Sequence, residues 1–439
     1  MSIARYSFIA VDPYLTFSVQ NGEVRIRCRG RETISSRKPL QRLREIVGAY
    51  PQKRINSLPP FQGGAIGFLG YDFVRYFERL PDAAADDLTL PDALFFLVDT
   101  VISFDHQERR AWIVACPGAR DTVLGYSPIE KTDEELHVEA AAMIRRVEDL
   151  LEKTPPEPRT ASRVRPVVVQ ETPKEQYTAM VRRAKEYIAA GDIFQANLSL
   201  RIRADIGKTE PWSVYETLRK VNPSPFAFFM DCGEFQIASS SPERLVRCAG
   251  GRVDTRPIAG TRPRGRDTGE DELLRAELLL NAKERAEHIM LIDLERNDIG
   301  RVCSYGSVTV DELMTTEEYS HVIHIVSNVQ GRLAPGKDCF SVIRAAFPGG
   351  TITGVPKVRC MEIIEELEAR RRGVYTGSAG YIGFNGDMDL NIIIRTFLIK
   401  DGMAYVQAGA GIVADSDPER EHAECLKKAE ALVRTLERL

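Results

Sequence analysis

An α+β fold built on large antiparallel sheets is predicted by three features of this 439-residue chain. Strand-like runs gather around long helical stretches without regular β-α-β alternation. Glycine-rich and turn-rich breaks separate those runs. The clearest linker, EKTPPEPRTASRVRP at 152–166, clusters prolines and charges and so divides the chain into a part spanning 1–155 and a part spanning 166–439.

The elements follow in order. ALFFLVDTVISF and RRAWIVA read as strands of the first part, and FQGGAIGFLGYD at 61–72 reads as glycines that let strands pack closely. A phosphate cradle is the alternative there, but no G-x-G-x-x-G leads the run into a helix. EELHVEAAAMIRRVEDLLEK reads as a helix that the linker prolines stop. Beyond the linker, KEQYTAMVRRAKEYIAAG sets Tyr177, Met180, Val181, Ala184, Ile188 and Ala189 near one face and ends at Gly191. FAFFMD, EFQIASS and RLVRCAG read as strands, and 272–290 and 357–371 as helices. GSAGYIGFNG, LNIIIRTFLI and MAYVQAGAGIV complete the predicted strands.

Composition narrows the function. Apolar residues are 43%, charged residues 28% and the formal net charge is −4, which describes a soluble globular protein without the basic excess of a nucleic-acid binder. Small metabolites are the expected partners. No apolar run approaches the roughly 20 residues of a membrane span, and the opening MSIARYSFIAVDPY lacks the regions of a signal peptide, so a cytoplasmic protein is expected. Eight scattered cysteines without a C-x-x-C pair suggest reduced thiols, and six dispersed histidines make no histidine-rich metal site.

Several residues have the types and spacings that chemistry needs. Glu421 and Glu424 lie three apart on the last predicted helix, hence on one face, and Lys428 follows Glu424 by four. Glu287 lies on another helix, where Ala286, Met290 and Asp293 or Leu294 share its helical spacing. A solvated, salt-bridged surface is the simpler reading of such glutamates, but carboxylates from two helices also suit Mg²⁺, which takes oxygen ligands. FPGGTITGVPK at 347–357 departs from the Walker pattern because Val355 and Pro356 separate Gly354 from Lys357. Its backbone N–H groups, leading into the next helix, suit a carboxylate instead. His324 and Arg395 each interrupt an apolar run; a buried arginine needs a carboxylate or phosphate, whereas His324 alone reads as a core histidine. In RPIAGTRPRG at 256–265, Ala259 is a lone methyl group among three arginines.

Taken in order, GDIFQANLS, SSSPERL, RPIAGTRPRG, KERAEHIMLIDLERNDIGRV, YSHVIHIVSNV, FPGGTITGVPK, YTGSAGYIGFNGDMDLNIIIRT, QAGAGIV and DSDPEREHAE resemble the motifs of the chorismate-utilising enzymes over essentially the whole chain. The resemblance implies the anthranilate synthase component I-like fold, two large antiparallel sheets packed in a sandwich flanked by helices. It implies Mg²⁺ as cofactor, held by Glu287 and Glu424 with Glu421 nearby. It further implies that Arg395, Tyr375 and the backbone at Gly411 bind the enolpyruvyl carboxylate of chorismate. Gly260 and Thr261 would lie against the ring, Lys428 near a carboxylate, and His324 beside the departing or transferred groups. Glu243 in SPERL matches the general acid.

Gln195 stands where water-using relatives carry a lysine base, and a neutral amide cannot act as that base. The resemblance therefore implies ammonia as nucleophile. No G-x-C-x-G nucleophile elbow is present, so the ammonia is expected from a separate glutamine amidotransferase subunit. Between two ammonia-using branches, Asn197, SSSPER and PGGTITG resemble the branch that forms aminodeoxychorismate, where anthranilate-forming relatives typically read QVVLS, GSSPE and AGTxSG. Ala259 replaces a lysine that some aminodeoxychorismate-forming relatives use covalently, and alone it favours the anthranilate branch. DLERND and FQGGAIGFLGYD recur, however, in an aminodeoxychorismate-forming subgroup that also carries PIAGT. The segment containing LLES that usually precedes the ARYSF equivalent does not occur here, which implies an N-terminal region without its first strand and an incomplete tryptophan pocket.

Overall fold

In this computed structural model residues 4–36, 38–122, 131–153, 166–318 and 322–439 are described. Most of the predicted linker, at 154–165, lies outside the described residues. Two large antiparallel sheets dominate. One runs in the order Phe226–Asp231, Phe235–Ser241, Thr396–Lys400, Met403–Ile412, Gln195–Asp205, Gly354–Val355, with Val168–Gln170 added on Gln195–Asp205.

The other sheet joins both sides of the linker. Its order is Ile258–Pro263, Val322–Arg332, Arg252–Thr255, Arg244–Ala249, Met388–Asn391, Ser378–Gly383, then Gly64–Leu69, Ala93–Val98, Leu15–Gln20, Glu23–Cys28 and Arg31–Ser35. Ser378 faces Leu69 and Gly383 faces Gly64 across the junction. A Cβ on Gly64 would strike the Ile382 carbonyl, and one on Gly67 the Leu94 carbonyl. Close strand packing is therefore what FQGGAIGFLGYD provides.

Alternation along Gln195–Asp205 explains how the layers stack. Leu198, Leu200 and Ile202 share an apolar cluster with Tyr177 and Val181 of the helix Lys174–Ala189 and with Ala429 and Leu432 of the helix Pro418–Leu436. Gln195, Asn197, Ser199 and Arg201 alternate onto the opposite face. A second apolar cluster, containing Phe68, Leu94, Phe235, Ile237, Ala379, Ile393 and Leu398, draws on strands of both sheets.

Three local expectations change. The predicted helix over 272–290 is two helices, Thr268–Leu280 and Ala282–Gly300, because Asn281 takes ψ 111° and its side chain caps the second by accepting from the Glu284 N–H. The second helix buries His288, Leu291, Ile292, Glu295, Asp298 and Ile299, a stripe displaced from the one expected through Ala286, Met290 and Asp293; Glu287 is left half-buried at its flank. LNIIIRTFLI is not one strand either: Met388–Asn391 belongs to one sheet and Thr396–Lys400 to the other, and Ile392–Arg395 carries the chain between them. Finally, the helix expected to reach residue 371 ends at Leu367, where Glu368 turns to accept from Ser199 and Arg372. All eight cysteines are free thiols, and no helix among the described residues is long and apolar enough to cross a membrane.

Candidate active site

The crossing between the sheets ends at Arg395, a non-glycine residue at φ +54°. Its Nη1 donates to the Lys428 carbonyl at 2.7 Å, and no carboxylate lies within ion-pair distance of it among the described residues. Burial lowers its pKa, against the opposing pull of Tyr375 and Glu424. A desolvated guanidinium with only one such bond is set up to receive an anion. Lys428 donates from Nζ to the Gly409 carbonyl at 3.0 Å and pairs with Glu424 Oε1 at 2.7 Å.

Gly409 and Gly411 of the strand Met403–Ile412 form a bare floor beside these cations. A Cβ on Gly409 would sit 2.5 Å from Asn197 Oδ1 and 2.9 Å from the Tyr375 hydroxyl, and one on Gly411 would strike Gln195 Nε2. The structure thus brings Gln195, Asn197, Tyr375, Arg395, Gly411, Lys428 and Glu424 to one place. Gly409 was not singled out from the sequence, although it lies in the quoted QAGAGIV.

Glu243 follows the strand Phe235–Ser241, its carbonyl accepting from the Ile392 N–H at 3.0 Å where the crossing begins. Its side chain is buried and Oε1 has no hydrogen-bond partner. Burial pushes its pKa up to about 7, against the Thr351 hydroxyl and the charge of Lys428. At neutral pH it can hold or release a proton, the property a general acid needs.

Behind Glu243 lies a second buried carboxylate that the sequence did not single out. Glu295 accepts from Thr255 Oγ1 at 2.5 Å, and Asp298 accepts from Lys357 Nζ at 2.5 Å. Burial holds the Glu295 pKa well above the ordinary 4.5, opposed by Thr255 and reinforced by the charges of Glu243 and Asp298. A carboxyl raised on folding stabilises the fold fully below its unfolded pKa and loses that contribution as pH rises towards the folded value. Glu295→Gln is therefore expected to gain thermal stability relative to the parent as pH rises from about 5 to about 9. A melting-temperature difference that stays flat over that range would show that the parent carboxyl does not resist ionisation.

The stretch that opened the question of Ala259 forms an edge strand. Ala259 pairs with Ile325 and Thr261 with His324, and the register shifts between them, leaving Gly260 at φ +67°. A Cβ on Gly260 would lie 2.8 Å from both Glu284 Oε2 and Leu278 Cδ1. His324 is buried, and its Nδ1–H donates to the Gly260 carbonyl at 3.4 Å. Burial lowers its pKa to about 4, opposed by the Gly260 carbonyl and reinforced by Arg395, so its ring is neutral at pH 7. The Thr261 side chain lies outside the described residues. The arginines are all engaged: Arg256 with Glu312 and Glu317, Arg262 with Glu277 and Glu284, Arg264 with Asp271. Their charge is neutralised by flanking elements, which leaves the half-buried Ala259 in a loop less cationic than its sequence suggests.

The carboxylates implied as metal ligands occupy two helices. Glu287 lies on Ala282–Gly300; Glu421, buried, and Glu424, exposed, lie on Pro418–Leu436. No group of three metal-ligating side chains is gathered among the described residues. All-oxygen donors of this kind fit Mg²⁺, which keeps several waters and substrate oxygens rather than a complete protein cage.

Arg372 was also missed, although it stands in the arginine run just before Tyr375. Its buried guanidinium grips Glu368 through Nε at 2.9 Å and Nη2 at 2.7 Å, and donates to the Ile352 carbonyl at 2.9 Å and the Asn197 carbonyl at 2.7 Å. The rings of Tyr71 and Tyr375 lie 4.9 and 5.6 Å from its central carbon. One charged group thereby ties Asn197, Tyr375 and the FPGGTITGVPK loop together.

Comparison with known proteins identifies the family and the fold. A family model described as chorismate binding enzyme matches residues 3–434. Aminodeoxychorismate synthase component 1 of Bacillus subtilis (strain 168) is 44% identical over 433 residues, covering 99% of this chain and 89% of the relative. Anthranilate synthase component 1 of Thermus thermophilus is 46% identical over 434 residues, with the same coverage of 99% and 89%. Among solved structures, anthranilate synthase component I from Streptococcus pneumoniae TIGR4 superposes with a TM-score of 0.86 at 35% identity, covering 99% of this chain and 93% of that one.

Proposed function

This chain belongs to the chorismate-binding enzyme family, and from that premise we propose that it aminates chorismate with ammonia to 4-amino-4-deoxychorismate, the step toward 4-aminobenzoate and folate. The observation that carries the choice is Asn197. Its side chain is 8% exposed and stands over Gly409 beside Tyr375, at a position where the anthranilate-forming branch typically carries valine. An amide there changes the hydrogen bonding of the pocket, whereas a valine would leave it dry.

Each residue then has a task. Arg395, Tyr375 and the Gly411 backbone receive the enolpyruvyl carboxylate, and Lys428 adds positive charge on the same side. Glu287 and Glu424, with Glu421 beside them, would hold Mg²⁺, which supplies charge neutralisation for the ring carboxylate when bound. Glu243 protonates the departing hydroxyl. The C–N bond forms as the C–O bond breaks, the hydroxyl leaves as water with the proton from Glu243, and the surplus proton on the new amine restores the Glu243 acid. Gly260, Thr261 and neutral His324 line the ring side. Ala259 leaves room either for direct substitution at C4 or for a small nucleophile on C2. The ammonia would come from a separate glutamine amidotransferase subunit.

Ala259 also favours a second reading, anthranilate synthase component I, because a methyl group cannot attack C2 covalently. The two readings differ in product. Incubation of the chain with chorismate, Mg²⁺ and an ammonium salt at mildly alkaline pH is expected to yield 4-aminobenzoate only when a 4-amino-4-deoxychorismate lyase is added, and no product when the metal is chelated. Anthranilate released without the lyase would transfer the assignment to the second reading.

A further inference from the structure

We propose that the Asp298–Lys357 ion pair is a positioning device for the general acid: it clamps the FPGGTITGVPK loop onto the helix Ala282–Gly300 and so fixes where the Thr351 hydroxyl meets Glu243. This rests on the amination reading above, in which Glu243 protonates the departing hydroxyl. A phosphate loop would aim its lysine at a ligand. Lys357 instead gives its Nζ to Asp298 Oδ2 at 2.5 Å and to the Ala346 carbonyl at 3.3 Å. The Lys357 side chain is 13% exposed and that of Asp298 5%, so the pair is held largely out of water.

Two bonds make that ammonium a clamp. Ala346 ends the helix Cys339–Ala346 and Lys357 begins the helix Lys357–Leu367, so one side chain closes the loop at 347–356 end to end and ties it to a third helix. Between its ends the loop folds on itself. Thr353 Oγ1 donates to the Gly349 carbonyl at 2.8 Å, and the N–H groups of Thr353 and Gly354 donate to the Gly350 carbonyl at 3.2 and 3.1 Å. The loop packs directly on Ala282–Gly300, where a Cβ on Gly350 would strike Leu294 Cδ2. It also accepts from Arg372 at the Ile352 carbonyl, at 2.9 Å, and from the Asn197 N–H at the Thr353 carbonyl, at 2.8 Å. Thr351 lies within this framework with its hydroxyl beside the Glu243 carboxyl, whose ionised form it favours. The charged groups facing Glu243 are Lys428 from the helix Pro418–Leu436 and Glu295 from Ala282–Gly300.

Apolar packing is non-directional, and alone it would hold the loop without fixing its register on the helix. An ion pair removed from water adds little net stability over apolar side chains of the same volume, but it is directional. Its place between the loop and the helix therefore points to geometry rather than stability. A misplacement of about 1 Å near the chemistry can cost about a hundredfold in rate. A loop that slid on the helix would carry Thr351 away from Glu243, weaken the bond that favours the carboxylate, and leave the acid poorly aimed at the departing hydroxyl.

The test uses the full-length chain with chorismate, Mg²⁺ and an ammonium salt, free ammonia being held constant across pH. Combining Asp298→Leu with Lys357→Met removes both charges together, so the melting temperature of this double variant is expected to match or exceed that of the parent. Its kcat is expected to fall about tenfold to a hundredfold, with the chorismate KM within about twofold. The alkaline limb of kcat is expected to move to higher pH, because Glu243 loses the hydroxyl that favours its ionised form. Thr351→Val is expected to show the same limb shift, and adding it to the double variant to change little more. Asp298→Asn keeps the shape and an acceptor for Lys357; it is expected to show smaller changes of the same kind, and it keeps the test decisive should the double variant fold poorly. Parental kcat with an unmoved limb in either folded variant, or a fall in kcat matched by a parallel rise in the chorismate KM, would overturn the device. If the parent releases anthranilate, the amination reading fails instead, and the same comparison made on that product decides the role of the pair.

Discussion

Replacing Glu243 with glutamine is expected to lower kcat for the proposed chorismate amination by about 10²–10⁴-fold while leaving the KM for chorismate nearly unchanged. Glutamine keeps the size of the side chain and its place behind the Ile392 N–H, but it has no acidic proton for the leaving hydroxyl. The pH dependence of the parent is expected to make the same point. Burial raises the Glu243 pKa to about 7, so the acid form predominates below that value and declines above it. With free ammonia held constant as pH changes, kcat should fall by up to about tenfold per unit above about pH 7, and the glutamine variant should lack that limb. A variant that retained parental kcat, or a limb that survived the substitution, would place the general acid elsewhere.

The second large effect is expected at Arg395. Arg395→Met removes a desolvated cation that the fold leaves with one carbonyl partner, so chorismate should lose about 2–5 kcal/mol of binding, a rise in KM of about 30-fold to several thousandfold. Arg395→Lys should recover part of that loss, because charge remains while the planar two-bond geometry does not. Equal KM values for both variants would argue for packing rather than anion recognition. Thermal unfolding separates the cases, since the methionine variant should not be less stable than the parent: it relieves a buried charge.

Local pattern marked helices and a shared helical face, whereas Gln195, Asn197, Glu243, Tyr375 and Gly411 were named only through the family resemblance. The spacing of Tyr177, Val181 and Ala184 marked a helix, and Lys174–Ala189 is one. The spacing of Glu421, Glu424 and Lys428 put them on one helical face, and the Lys428–Glu424 pair forms there at 2.7 Å. Local pattern failed where the chain leaves a periodic element for a reason held elsewhere. LNIIIRTFLI, apolar but for Asn391, Arg395 and Thr396, has its two halves buried in different sheets, and its hydropathy alone does not mark the crossing. Asn281 interrupts a run that otherwise scans as one helix. The stripe through Ala286 and Met290 misplaced the buried face of Ala282–Gly300, because that face carries His288, Glu295 and Asp298, polar residues that hydropathy alone assigns to solvent.

The sequence by itself determined the family of this protein and its α+β class, which ordered motifs and short-range patterns along the chain carry, and through the family resemblance it named the groups proposed for chorismate chemistry. Only the tertiary structure decided what those groups can do. That Glu243 titrates near neutrality, that Glu295 stands behind it, that Arg395 has no carboxylate partner among the described residues and that the side-chain amides of Gln195 and Asn197 lie over the bare Gly411 and Gly409 all depend on which distant strands and helices exclude water around them. Desolvation and partner choice act through space, between residues that strand register brings together, and no local pattern contains them.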